Sequence, residues 1–222
     1  MSASAEIDLG AKVAWLRRRE SFSDAPNAVE AIETHFAWVF LSKRFAYKLK
    51  KPLRIRDVDF TTLAARRASC ELELALNRRL AEAVYIGVVP LVRRDAGFAL
   101  EADGDAVEWL VKMRRLPRDL MLDQAARQRV VADGDLEAVL DKLGAFYRSA
   151  ARAPWDGAAH RDHLTRQIER YSADLASADL GLNSNRVHAA AEGLLGFVRE
   201  HETLFDARIA AGRVVDAHGD LR

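Results

Sequence analysis

Thiols, net charge and long apolar runs are what this sequence has least of. Cys70 is the only cysteine among 222 residues, which excludes an intramolecular disulfide and a zinc site built on paired thiolates. Lys plus Arg number 34 against 33 Asp plus Glu, so a net charge of +1 supplies no global field to attract nucleic acid or an anionic membrane. No stretch approaches the ~18 consecutive apolar residues of a membrane span. The N-terminal MSASAEIDLGAKVAWLRRRE lacks the basic start followed by an apolar run that a secretory signal requires. A cytoplasmic protein with no membrane or nucleic-acid partner is therefore expected. Gly-x-Ser-x-Gly and Cys/His arrangements of nucleophilic enzymes are missing too, as are internal repeats and Ser/Gly-rich linkers.

What is present is a chain that is 50% apolar, enough for the core of one large domain or two small ones. Leu9, Val13 and Leu16 at helical spacing predict a short amphipathic helix over about 9–19. From Val29 the period changes. Runs at 29–32, 36–41 and 45–50 are rich in aromatic and β-branched residues and split by polar turns, which predicts three antiparallel strands. Pro52 ends the third, and Asp59 or Thr61 opens a long helix, Leu63 to Ala81, with Leu72, Leu76 and Leu80 on one stripe. Strands are expected again at 88–93, 97–101 and 107–113. After Pro117 the pattern is helical: 136–151 behind an Asp133 or Asp135 cap, then 161–176, then 184–204, with a short strand at 213–217. The fold class read from this order is α+β, with a sheet-rich lobe at 1–113 and a mostly helical lobe at 114–222.

Chemistry concentrates in few places. The chain closes on His218-Gly219-Asp220-Leu221-Arg222, and an aspartate on a tight loop can hold a substrate hydroxyl and take up its proton. The plainer reading is a polar turn. Phe45-Ala46-Tyr47-Lys48 ends a strand in the form apolar-Ala-apolar-Lys, with Ala46 and Lys48 on one face, where a small residue admits a flat base and a lysine reaches its phosphates. Lys50 shares that face. Lys48, Lys50, Lys51, Arg54 and Arg56 also fit a solvated basic edge or a weak RNA or DNA surface. Glu73 and Glu71 on the following helix are the carboxylates that could meet Lys48, and Glu73 borders the apolar stripe. Met113 and its apolar neighbours read as core packing when taken alone, and Trp38, Trp109 and Trp155 as core or lobe-interface residues. His160 and His163 share a helix face but have no third ligand nearby.

The ordered set ETHFAWVF at 33–40, FAYKLKKP at 45–52, DFTTL…RR…CELELALNRRLA between 59 and 81, YIGVVP at 85–90, VKMRRLP at 111–117 and HGDL at 218–221 resembles the aminoglycoside phosphotransferase-like kinases. Within that group it is most similar to the N-terminal phosphotransferase region of bacterial proteins that often carry a downstream P-loop ATP-binding domain. The resemblance spans about Val29 to Arg222. It implies a protein-kinase-like fold of two lobes, with an antiparallel sheet and one long helix in the first, an incomplete helical second lobe, and ATP between them. It implies that Lys48 pairs with Glu73 and holds the α/β-phosphates, with Lys50 and Glu71 as the open alternatives. Backbone around Met113 and Arg114 would meet the adenine edge, Ala46 and Met113 or Leu116 would line its faces, and Asp220 would be the catalytic base on a loop shaped by His218.

Two departures accompany the resemblance. No Gly-x-Gly-x-x-Gly precedes Phe36; Glu33-Thr34-His35 stands at that turn, where His35 could donate to a phosphate. The asparagine and aspartate that hold Mg²⁺ in such kinases belong downstream of Arg222. The expected function is ATP-dependent phosphoryl transfer to the hydroxyl of a small molecule, present here as an N-terminal fragment. The alternative is a catalytically inactive nucleotide-binding or interaction module.

Overall fold

The apolar runs of the first half fold as alternation dictates in the computed structural model, which describes residues 8–55, 58–95, 97–177 and 181–219. Helix α1 (Leu9–Leu16) begins where the Asp8 carboxylate accepts the Ala11 N–H at 3.2 Å. Strands β1 (Glu30–Glu33), β2 (Ala37–Leu41) and β3 (Phe45–Lys50) follow as antiparallel hairpins. A small separate hairpin, β4 (Arg54–Ile55) with β5 (Val58–Asp59), precedes helix α2 (Leu63–Ala81). Strands β6 (Tyr85–Arg94), β7 (Gly97–Leu100) and β8 (Ala106–Arg114) complete a six-stranded antiparallel sheet in the order β1-β2-β3-β8-β6-β7.

The return of β8 between β3 and β6 makes β3 an inner strand. Register pairs Phe40 with Tyr47, Trp38 with Leu49, and Leu49 with Leu110, so these side chains share one face. That face meets Val13 and Leu16 of α1, together with Phe22 and Leu91, to form the core. Leu16, Leu49, Leu91 and Leu110 are each fully buried, worth about 2 kcal/mol apiece in apolar transfer. The one polar atom Tyr47 carries inward is satisfied, because its hydroxyl donates to the Glu101 carboxylate at 2.7 Å.

Helix α2 packs on β8 and β6. The expected leucine stripe turns inward only in part: Leu76 and Leu80 are half-buried, whereas Leu72 is 59% exposed. The buried positions are Arg66 and Cys70, and Glu73 and Asn77 continue their line at helical spacing, about a third of a turn round from Leu72. Glu73 meets Lys48 and Lys50 on the sheet face beneath α2, and Arg66 reaches the buried Glu108 carboxylate of β8, so side chains able to pair take the inward positions. The cap also differs. Thr62 Oγ1 accepts the Ala65 N–H at 3.1 Å, while Asp59 accepts both the N–H and the hydroxyl of Thr61 in a turn of its own.

Beyond β8 the first surprise is α3 (Leu122–Gln128), a short helix with no strong apolar period. Helix α4 (Asp133–Ser149) follows, and the chain divides within it into two compact units, Met1–Leu143 and Gly144–Arg222. In the second unit α5 (Gly157–Ser177) packs on α6 (Ser184–Glu200) and α7 (Glu202–Ala210). The helix expected over 184–204 is broken at His201, whose φ of −117° and ψ of 36° leave the helical region. The expected terminal strand is reduced to a single bridge between Arg152 and Val215, bracketed by Ala153 N–H to Val214 O at 2.9 Å and Asp216 N–H to Ala151 O at 2.8 Å. Among the described residues no helix is long and apolar enough to cross a membrane.

Candidate functional site

Residues two apart on a strand face the same way, so β3 presents Lys48 and Lys50 together toward α2. Both reach one carboxylate. Lys48 Nζ lies 2.8 Å from Glu73 Oε1 and Lys50 Nζ lies 2.6 Å from Glu73 Oε2. Glu71, the other carboxylate the sequence offered, turns outward to Arg67 at 2.8 Å. The lysines differ in depth: the Lys50 side chain is 9% exposed and also lies over the Phe60 ring, whereas Lys48 is 31% exposed. Burial alone would raise the Glu73 pKa, but the two lysine charges and their hydrogen bonds outweigh it and hold the carboxyl below its ordinary value.

Of the cations read as a solvated basic edge, Lys48 and Lys50 lie on an inner strand, whereas Arg54 is 73% exposed. Lys51 meets Glu33 at 2.5 Å, Arg54 stands 3.7 Å from Asp59, and β3 has neighbours on both sides; Arg56 lies outside the described residues. At the β1–β2 turn the Thr34 hydroxyl donates to Ala37 O at 2.8 Å and accepts the Ala37 N–H at 3.0 Å. His35 packs edge-on to Phe36 there.

The seat of α2 involves residues that sequence reasoning missed. Glu108 of β8 is fully buried and receives Lys12 Nζ of α1 at 2.8 Å and Arg66 Nε of α2 at 2.9 Å and 3.0 Å. Arg66 also donates to the carbonyls of Phe60 and Thr61 at 2.8 Å and 3.1 Å. One turn further along α2, Cys70 lies under the Trp109 carbonyl at 3.7 Å, and burial pushes its thiol up to about 12. A signal was available: a single glutamate inside the apolar run Val107-Glu108-Trp109-Leu110-Val111 and a lysine inside an apolar helix must each find a partner if buried.

On the same sheet face as Lys48, Ala46 is the register partner of Met113. The Arg114 N–H donates to Val84 O at 2.8 Å and the Arg115 N–H to Arg44 O at 2.9 Å, so both amides are already engaged. Arg114 and Leu116 are exposed, Leu116 by 58%. The three tryptophans read as core or lobe-interface residues are not fully buried, and Trp109 carries Arg67 over its ring at 4.4 Å.

In the second unit the bridge at Val215 leads to His218, which is half-buried. Gly219 has φ +81°, a conformation that suits glycine, and Asp220 lies outside the described residues. His160 and His163 both pack against Trp155, with ring centroids 6.1 Å and 4.6 Å away. Among the described residues no three His, Cys, Asp or Glu side chains gather in a way that could hold a metal.

No family model matches the chain, and no solved structure matches it. It is similar to uncharacterized proteins of Mycobacterium tuberculosis and Mycobacterium bovis, each 30% identical over 195 residues. The matched region is 87% of this chain and 38% of each relative, so the chain spans well under half the length of the curated relatives it matches.

Proposed function

We propose that this chain is the nucleotide-binding portion of an ATP-dependent phosphotransferase with a protein-kinase-like, aminoglycoside phosphotransferase-like fold, acting on a hydroxyl of a small molecule. The observation that carries the reading is the Lys48–Glu73 pair at 2.8 Å, set on the sheet face where Ala46 meets Met113. A part-exposed lysine anchored by a helix carboxylate is suited to hold phosphates, and an alanine flanked by methionine suits the face of a purine. Because the Arg114 and Arg115 amides are engaged, the adenine edge is met on this reading by the backbone beyond β8, from Leu116 onward.

ATP supplies the phosphoryl group. Lys48 binds its α/β-phosphates, Glu73 orients Lys48, and Asp220, on the loop shaped by His218, takes up the hydroxyl proton as that oxygen bonds the γ-phosphorus and ADP departs. Magnesium ligands belong to a part of the protein downstream of Arg222, and a further downstream domain is part of the same proposal.

Calorimetric titration of the chain with Mg-ATP tests the nucleotide site. Lys48→Met should weaken binding by about tenfold or more, the loss of a charge-assisted contact to phosphate. Equal affinity in both proteins would sink the assignment of Lys48. For the full-length protein, ATP turnover should fall about 10²–10⁴-fold in Asp220→Ala, as loss of a general base does. ATP that binds to the full-length protein without being consumed favours the inactive-module alternative.

A further inference from the structure

We infer that Glu108 is a positioning residue: with Arg66 and Lys12 it forms a buried latch that sets α2 on the sheet in the one seating that delivers Glu73 to Lys48 and Lys50. Only its link to nucleotide binding rests on the proposed function.

A helix lying on a sheet through apolar side chains can slide or roll at modest cost, because apolar contact has no direction. On the inner face of α2 only Arg66 and Cys70 are fully buried, with Glu73 in line beyond them, while Leu76 and Leu80 are half-buried and give a weak apolar anchor. Direction comes from the charged contacts. The Arg66 guanidinium is 0% exposed and its Nε meets both Glu108 oxygens, while the same group donates to the Phe60 and Thr61 carbonyls just before the helix. These contacts fix the start of α2 in both translation and rotation. Glu73 lies two turns further along the same face, so its approach to β3 is set by Arg66.

Lys12 extends the latch to α1. Its side chain is 2% exposed and reaches Glu108 Oε2, so a single carboxylate on β8 ties α1 and α2 to one point of the sheet. Breaking a buried ion pair by removing one partner leaves the other charged and desolvated, so such a cluster resists partial opening.

Cys70 is a built-in reporter. It is the only cysteine, 0% exposed, on the inner face of α2 one turn beyond Arg66, with a thiol held far from its reactive thiolate form. It becomes reactive when α2 lifts. The test measures the rate at which a thiol reagent modifies Cys70 in the unmodified chain and in Arg66→Met and Lys12→Met, over a urea series ending below global unfolding. Local opening gives a rate independent of urea, whereas labelling through global unfolding rises steeply with it.

Arg66→Met should raise the rate about tenfold or more at zero urea, with a flat urea dependence, and Lys12→Met should stay within about twofold because the Arg66–Glu108 contact survives. Arg66→Lys, which keeps the charge but loses the fork, should fall between and serves if Arg66→Met does not fold. Cys70 as protected in the Arg66 variants as in the parent, or labelled in every variant only in step with global unfolding, overturns the latch. The same variants titrated with Mg-ATP separate the two proposals. If α2 lifts in Arg66→Met and ATP affinity falls no further when Glu73→Gln is added, the latch acts through Glu73. A parent chain that does not bind ATP refutes the proposed function while the labelling result still judges the latch.

Discussion

Glu73 takes Lys48 on one carboxylate oxygen and Lys50 on the other, and the different depths of the two lysines separate their roles. Lys50, nearly buried, contributes mainly to stability; Lys50→Met should cost about 2 kcal/mol, measured as the urea midpoint, since a hydrogen bond to a charged group is lost inside the protein. Lys48 is part-exposed and screened, so Lys48→Met should cost under about 1 kcal/mol while removing the cation that faces solvent. The pair also predicts a pH dependence. Glu73 has a lower pKa folded than its ordinary 4.5, so the unfolded chain takes up the proton first on acidification. Its contribution to stability is complete above the unfolded value and is lost as pH falls through the folded one. The stability gap between the parent and Glu73→Gln should therefore narrow between pH 7 and pH 3 in urea titrations. A gap that stays constant over that span contradicts the ion pair.

At the scale of elements, the bounds of α2 were legible but its orientation was not. Ala, Leu, Arg and Glu set the helix from Leu63 to Ala81, and Thr62→Ala should cost about 1 kcal/mol by removing the cap on the Ala65 N–H. The leucines suggested an inner face, yet Leu72 stands 59% exposed, so Leu72→Lys should change the urea midpoint by no more than about 0.5 kcal/mol. Hydrophobic periodicity assumes that the surface receiving a helix is apolar. Here the receiving sheet carries Glu108, Lys48 and Lys50, and polar complementarity set the rotation. The break at His201 was hidden for a related reason: the apolar spacing runs on from α6 into α7, and only the His201 backbone departs from it.

At the scale of the whole molecule, apolar side chains remain uncovered along the helices after β8. Met121, Leu136, Val139, Leu140 and Leu194 are each 47% exposed or more. Exposed apolar side chains in such number favour association in water. The isolated chain should therefore sediment as a concentration-dependent mixture, and the double variant Leu140→Glu, Leu194→Glu should shift it toward monomer with little change in stability. A parent chain that is monomeric at all concentrations contradicts the expectation.

The sequence alone determined what depends on near neighbours. Alternation located β1 to β3, Pro52 closed β3, propensity bounded α2, and the Phe-Ala-Tyr-Lys run with a glutamate helix behind it marked Lys48 or Lys50 and Glu73 or Glu71 as candidate partners. Which lysine and which carboxylate pair, that one glutamate serves two lysines, and that Glu108 joins α1 to α2 were decided only by the tertiary structure. Those contacts link residues 25, 42 and 96 positions apart. A local pattern can show that a charge must find a partner if buried, but the partner is chosen by strand register and helix seating, which exist only once β8 has returned between β3 and β6.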